Sequence, residues 1–197
     1  MYRQAADIES ERVGVQLLVD GENLYIKTVE YLKAHQMPSD EAAATEFILA
    51  KLAELVDYIE DAHDLRIHVG FYYMTRVGED ALRSRRMLVG FKEQLRQLGI
   101  ETLVVEKWNE KSGNVDPRLI SGAYRLLFID KKAPYNLVLV SGDKDYEPML
   151  ADYEKQGRRV VVSFYQPVGG GASIDLLSIS GTEFIDFTNP KQSWTIP

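Results

Sequence analysis

Short apolar runs rich in β-branched residues alternate with longer segments of helical periodicity along most of the chain. We predict strands in the runs VGVQLLVDG (13–21), LRIHVGFYYM (65–74), IETLVVEKW (100–108), YNLVLVSGD (135–143), RRVVVSFY (158–165) and EFIDF (183–187). We predict helices at residues 22–35, 37–63, 78–99, 116–130 and 146–157, with a short one near 174–180. Because the strands are apolar throughout, both of their faces must be buried. The pattern therefore predicts an α/β fold with a mostly parallel sheet covered by helices on both faces.

The composition is that of one globular domain. The chain has 197 residues, of which 45% are hydrophobic, and no cysteine. We predict an N-terminal tail at residues 1–12, a domain at 13–187 and a C-terminal tail at 188–197. No apolar segment reaches the ~18 residues that span a bilayer, and the N-terminus has no signal-like apolar core, so we expect a cytoplasmic protein without membrane contact.

Acidic side chains follow two of the predicted strands at the point where each strand ends. Asp20 comes after the first strand, Asp143 and Asp145 come after the fourth, and Asp116 opens the helix after the third. Ligands of parallel α/β sheets bind at the carboxyl ends of the strands, where the strand order reverses. Carboxylates that converge there repel one another unless a cation such as Mg²⁺ or Mn²⁺ neutralises them. This arrangement indicates hydrolysis of a phosphodiester by metal-activated water.

Each of these residues also has a structural interpretation. Asp20 suits a turn or a helix N-cap, and Asp143, Asp145 or Asp116 can cap the helices that follow them. The pairing of Asp20 with Asp143 at one edge favours a site role for both. We take Asp143 as the metal-facing residue of its pair and Asp145 as a ligand or a supporting group.

Substrate contacts are predicted from polar and basic residues near the acidic ones. The net charge of −7 argues against a general polyanion binder, although a local basic surface can still guide a substrate. We expect Asn23, Lys111, Arg118 and Lys144 to contact substrate. Three aromatic residues could stack RNA bases or simply pack in the core: Tyr25, Trp108 and Tyr146.

Three motifs occur in order along the chain: LLVDGENLY (17–25), EKSGNVDPRLISGAYRL (110–126) and LVLVSGDKDYEPML (137–150). Together they resemble the NYN domain, and in particular its LabA-like branch, within the PIN-like nuclease superfamily. The resemblance extends from about residue 13 to about residue 187. It implies a three-layer α/β/α sandwich of the PIN-like kind and a divalent-metal-dependent ribonuclease that uses Mg²⁺ or Mn²⁺.

The resemblance assigns roles to individual residues. Asp20 and Asn23 match the first motif of the family, Asp116 the second, and Asp143 and Asp145 the third. The implied metal ligands are Asp20, Asp116, Asp143 and Asp145, and the implied catalytic residues are Asp20, Asp116 and Asp143. The expected partner is RNA, single-stranded or structured, and the chain is compatible with a homodimer.

Two residues depart from the family pattern. Gly122 stands where many relatives have another aspartate, and Lys144 replaces the small residue usual between the two aspartates of the third motif. These departures support a second hypothesis, that the chain is a catalytically weak or inactive regulator that binds RNA or a partner protein. A hydrolase of small phosphate esters that uses the same edge is a third hypothesis.

Overall fold

A computed structural model describes residues 13–62, 65–77, 90–107, 115–128, 136–166, 171–179, 181–191 and 193–194. Their strands form one seven-stranded sheet in the order β3-β2-β1-β4-β5-β6-β7. Strands β1 to β6 run parallel, and the two-residue β7 pairs antiparallel with β6. The prediction of an α/β fold with a mostly parallel sheet is confirmed.

The elements follow the predicted alternation. The strands are β1 (Val13–Asp20), β2 (Leu65–Val77), β3 (Ile100–Lys107), β4 (Asn136–Val140), β5 (Val160–Phe164), β6 (Thr182–Asp186) and β7 (Ser193–Trp194). The helices are α1 (Gly21–Ala34), α2 (Glu41–Ala62), α3 (90–97), α4 (Val115–Phe128), α5 (Glu147–Lys155) and α6 (Ile174–Leu177). A 3₁₀ turn at Lys144–Tyr146 precedes α5. Residues 78–89 of the predicted third helix lie outside the described residues, and β7 falls within the segment predicted as a C-terminal tail.

Strands β1 and β4 are neighbours although more than a hundred residues separate them in sequence. Leu17 pairs with Val138 and Val19 with Val140. The chain first adds β2 and β3 on one side of β1 and then returns to its other side with β4, so the strand order reverses between β1 and β4. The carboxyl ends of these two strands therefore meet at the edge where ligands bind in such sheets.

Helices cover both faces of the sheet. Right-handed crossovers that proceed in opposite directions along a sheet place their helices on opposite faces. The crossovers from β1 to β3 proceed in one direction and carry α1, α2 and α3, whereas those from β3 to β5 proceed in the other and carry α4 and α5. Strands β4 and β5 are consequently buried along almost their whole length. Among the described helices, none combines the length and the apolar character that crossing a bilayer requires.

Candidate metal centre

Asp20 is the last residue of β1 and the N-cap of α1. Its Oδ1 accepts a hydrogen bond from the backbone N–H of Asn23 over 3.1 Å, which satisfies a free donor of the first helical turn. Its Oδ2 accepts bonds from the hydroxyl of Ser141 over 3.2 Å and from that of Tyr146 over 3.0 Å. The side chain is only 2% exposed. The capping interpretation is therefore confirmed, and the same carboxylate also faces the turn after β4.

The turn after β4 is held by polar contacts from within the turn and from α1. The backbone N–H of Asp143 donates to Ser141 Oγ, and that of Asp145 donates to Asp143 Oδ1 over 3.0 Å. The N–H of Gly142 donates to the side-chain oxygen of Asn23 over 3.3 Å. Asn23 thus links α1 to the β4 turn, and its carboxamide oxygen is already engaged by the protein.

Three carboxylates converge beside this turn. Asp116, Asp143 and Asp145 each offer an oxygen, and these oxygens lie within 4.8 Å of one another. Asp116 is partly exposed at the start of α4, the helix that connects β3 to β4. The start of this helix lies at the same edge of the sheet as the β4 turn. We refer to these three residues as the acidic cluster. Asp20 lies beside the cluster and is joined to it through Tyr146.

Tyr146 connects Asp20 to the acidic cluster. Its hydroxyl donates to Asp116 Oδ1 over 2.7 Å and contacts Asp20 Oδ2 over 3.0 Å. A phenol has one proton, which serves one carboxylate at a time. Burial raises the pKa of Tyr146, and the charges of Asp20 and Asp116 raise it further, so the phenol stays neutral and acts as a donor.

The electrostatics of Asp20 differ from those of an exposed aspartate. The pKa of Asp20 is raised from 3.8 to about 6, mainly by burial. The nearby charge of Asp116 also raises it, while the bonds from Asn23, Tyr146 and Ser141 lower it. Asp20 therefore carries a destabilised negative charge at neutral pH. A divalent cation at this edge of the sheet would stabilise that charge.

Glycines near the site are required by close packing. A Cβ on Gly21 would overlap the ring of Tyr72, and one on Gly142 would overlap the ring of Phe164. At Gly122 on α4, an added Cβ would overlap the hydroxyl oxygen of Tyr73. An aspartate at position 122 would therefore fit only if Tyr73 moved, which gives a physical reason for this departure from the family pattern.

Of the predicted substrate residues, the structure describes Asn23, Arg118 and Lys144 but not Lys111. Arg118 on α4 and Lys144 in the 3₁₀ turn are exposed close in sequence to members of the acidic cluster. Lys111 and Trp108 lie outside the described residues. Tyr146 is completely buried, so base stacking by this residue is wrong and the packing alternative is confirmed. Tyr25 is partly buried on α1.

Sequence reasoning did not identify Ser141 or the bridging role of Tyr146. Both residues lie inside the quoted motif SGDKDY, where they flank the two aspartates. A buried hydroxyl next to several carboxylates is a signal for such a role, but only the fold shows that Tyr146 is buried between Asp20 and Asp116.

The ligand atoms available here suit a hard cation. The acidic cluster offers only carboxylate oxygens, which Mg²⁺ and Mn²⁺ prefer, and the chain contains no cysteine that would favour a softer metal. Asp143 Oδ1 and Asp116 Oδ1 each accept one bond from the protein, which orients both carboxylates. The residues present therefore fit a divalent metal ion.

A parallel α/β sheet with an acidic cluster at the reversal in strand order defines a class of protein that can bind a metal ion at that edge. Comparison with known families assigns the chain within this class: the NYN domain family matches residues 14–187, and the chain belongs to that family. The NYN domain is a PIN-like nuclease family. Comparisons with curated proteins and with solved structures gave no significant match.

Proposed function

We propose that this protein is a divalent-metal-dependent endoribonuclease that hydrolyses RNA phosphodiester bonds with Mg²⁺ or Mn²⁺. The observation that carries the proposal is the convergence of Asp116, Asp143 and Asp145 oxygens within 4.8 Å of one another beside the buried Asp20. Membership of a PIN-like nuclease family supports the same chemistry. RNA as the substrate follows from the family resemblance.

The roles of the residues follow from their positions. The acidic cluster holds the metal, with Asp143 and Asp116 as oriented ligands and Asp145 as a third ligand at the exposed side. Asp20 adds negative charge on the buried side of the acidic cluster, to which Tyr146 links it. Once a cation is present, Asp20 can also contact it directly. A bound divalent ion lowers the pKa of a coordinated water and neutralises charge on the reacting phosphate.

The basic residues complete the proposed site. Lys144 lies between Asp143 and Asp145 in sequence and is exposed, so its ammonium group can reach a phosphate without burial. Arg118 is exposed one turn or less from Asp116 on α4. Exposed cations near an acidic site can guide a polyanion toward it from the basic side. We propose that Lys144 and Arg118 contact the RNA backbone.

A catalytically weak or inactive protein that binds RNA or a partner protein is the second candidate function. It is favoured by Gly122, where the packing of Tyr73 excludes a further carboxylate, and by Lys144, whose positive charge competes with a metal ion. Such a protein would bind RNA without cleaving it and would bind Mn²⁺ weakly.

The test combines metal binding with cleavage. Mn²⁺ is titrated calorimetrically into the wild-type protein and into Asp143→Asn, and cleavage of labelled single-stranded and hairpin RNA is followed with Mg²⁺ or Mn²⁺. The proposal predicts metal binding and cleavage in the wild type and loss of both in Asp143→Asn, with the fold retained. Asp57→Asn is the control, because Asp57 is exposed in the middle of α2, far along the chain from the acidic cluster.

The outcomes separate the two candidates. RNA binding without cleavage, together with no Mn²⁺ binding at millimolar concentration, would favour the regulator. Cleavage that persists in both Asp143→Asn and Asp20→Asn would exclude the proposed site. Release of phosphate from nucleotides with no RNA cleavage would point instead to a small-phosphate hydrolase.

The LabA-like branch, the cytoplasmic location and the homodimer remain predictions. The family match covers the NYN domain as a whole and does not distinguish its branches. Size-exclusion chromatography with light scattering would measure the oligomeric state directly.

A further inference from the structure

A cavity of about 570 Å³ with a mixed polar and apolar lining lies between α1 and the segments that follow β5 and β6. Its volume is within the range of small-molecule sites in proteins. Because β5 and β6 run parallel to β1 and β4, the cavity is at the same edge of the sheet as the acidic cluster. Nothing in the mechanism above uses it.

Aromatic rings form one wall of the cavity. The rings of Tyr31 and His35 lie 4.1 Å apart at 33°, and the ring of Tyr165 lies 5.3 Å from that of Tyr31. The hydroxyl of Tyr165 is within 2.7 Å of the Thr28 hydroxyl, which holds its ring in place. His35 is exposed and available to a ligand. Tyr165 is buried and supports Tyr31 from below, so the exposed ring of His35 and the partly exposed ring of Tyr31 are the ones that can stack with a nucleobase.

A polar pair faces this wall. Asp186 at the end of β6 is 4% exposed, and its Oδ1 already accepts two bonds from Thr188. Its Oδ2 accepts one bond from Gln166 Nε2 over 2.7 Å and has room for a second donor. The amide of Gln166 has a second proton to donate. Acceptor and donor thus lie side by side, which matches the edge of a base.

The charge balance disfavours a phosphate in this cavity. Lys27 is paired with Glu30 over 2.8 Å, and Asp186 adds a further carboxylate to the lining. A neutral ring with N–H donors avoids repulsion by these acidic groups. Every RNA base presents an adjacent donor and acceptor on its Watson–Crick edge, so the pair of Asp186 Oδ2 and the Gln166 amide can bind any of the four bases.

Helix α1 connects the cavity to the metal centre. Asn23 in its first turn contacts the turn that carries Asp143. Lys27 and Tyr31 line the cavity about 6 Å and about 12 Å further along the helix axis. One RNA strand can therefore reach both places.

We propose that this cavity binds one unpaired nucleobase of the RNA strand and so helps to hold the strand at the acidic cluster. The choice of RNA as the ligand rests on the proposed nuclease function. The base-binding step itself requires no metal.

The experiment uses guanosine as the probe, with EDTA present so that metal binding and cleavage play no part. Backbone and side-chain amide signals of ¹⁵N-labelled protein are followed by NMR during titration with guanosine, adenosine, cytidine, uridine and ribose 5-phosphate. Guanosine and the other nucleosides are expected to shift signals of residues that line the cavity at millimolar concentration. Ribose 5-phosphate is expected to shift none of them.

Variants at exposed positions test the individual contacts. Gln166→Ala should weaken guanosine binding about threefold to tenfold by removal of a hydrogen bond, and His35→Ala about fivefold or more by loss of stacking. Gln156→Ala removes an exposed amide just after α5, at the opposite edge of the sheet, and should bind guanosine like the wild type.

Failure of this inference is distinguishable from failure of the nuclease proposal. If RNA is cleaved but guanosine shifts no cavity signals, or if the shifts are unchanged in Gln166→Ala and His35→Ala, the base site is overturned and the nuclease stands. If guanosine binds as expected but the wild-type protein cleaves no RNA with Mg²⁺ or Mn²⁺, the base site stands and the nuclease proposal fails. Guanosine should then bind equally well to Asp143→Asn.

Discussion

Tyr146 donates a hydrogen bond to Asp116 across 2.7 Å and thereby joins the turn after β4 to the start of α4. The same hydroxyl lies 3.0 Å from Asp20 at the end of β1. One completely buried phenol therefore contacts carboxylates from two other elements of the chain. Groups that orient metal ligands in this way generally strengthen metal binding.

We predict that Tyr146→Phe weakens Mn²⁺ binding by about tenfold or more, since Asp116 then loses the bond that orients it. Isothermal titration measures the affinity, and urea unfolding measures the stability of the same samples. Tyr153→Phe is the matched control. The Tyr153 hydroxyl is also buried and lies between two acceptors, Gln16 Oε1 and the backbone oxygen of Ala123, but neither belongs to the acidic cluster. This variant should lose stability without losing metal affinity. Equal metal affinities in the two variants would contradict the orienting role.

A second prediction concerns the pH dependence of stability in the metal-free protein. Asp20 has a higher pKa when folded, about 6 rather than 3.8, so the folded chain binds more protons between these values. Its contribution to the free energy of unfolding is therefore fully present below the lower pKa and is lost as pH rises through the higher one. The loss is roughly 3 kcal/mol by pH 7.

Asp20→Asn removes this titration. We expect the variant to gain stability relative to the wild type between pH 4 and pH 7, as measured by urea unfolding in EDTA. Asp152→Asn is a control of opposite sign, because bonds from Lys155 and Tyr124 lower the pKa of Asp152. A stability difference between Asp20→Asn and the wild type that stays constant with pH would show that Asp20 has an ordinary pKa.

The third prediction tests the packing at Gly122. Gly122→Ala should lower the free energy of unfolding by about 1–3 kcal/mol, because the new Cβ overlaps the Tyr73 hydroxyl oxygen. Tyr73→Phe removes that oxygen, and the ring carbon that carried it lies at an ordinary contact distance of 3.5 Å. Most of the loss should therefore be recovered in the double variant.

The control is another helical glycine. No atom of the described residues lies near the place of an added Cβ on Gly90 of α3, so Gly90→Ala should be neutral or stabilising by up to about 1 kcal/mol. Urea unfolding of the four variants forms a double-mutant cycle with a control. If Gly122→Ala lowers the free energy of unfolding by the same amount with and without the Tyr73 hydroxyl, the overlap is not the cause of the loss.

Much of the fold is predictable because it depends on local patterns. The run Val160–Phe164 is buried at every residue, and its β-branched apolar sequence indicates this without any tertiary information. Strand ends are less predictable: β4 stops at Val140, whereas the apolar run suggested 143, because Ser141 turns its hydroxyl to Asp20 and Asp143.

The candidate site was only partly predictable. The sequence predicted that Asp20 and Asp143 would share an edge, since strand-order reversal is a general property of such sheets, and the pairing of β1 with β4 agrees. The family resemblance implied that Asp116 joins Asp143 and Asp145, and their oxygens do converge; that Asp20 stands beside this group and not within it depends on the tertiary packing of β1, α4 and the β4 turn.

The sequence by itself determined the class of fold, the edge of the sheet that carries the acidic residues and the family resemblance, because each of these depends on short patterns and their order. The tertiary structure alone decided that Tyr146 links Asp20 with Asp116, that Tyr73 fills the space over Gly122, and that α1 and the segments after β5 and β6 line a cavity at the same edge of the sheet as the acidic cluster. These contacts join residues 30 to more than 120 positions apart, and only packing of the complete chain brings them together.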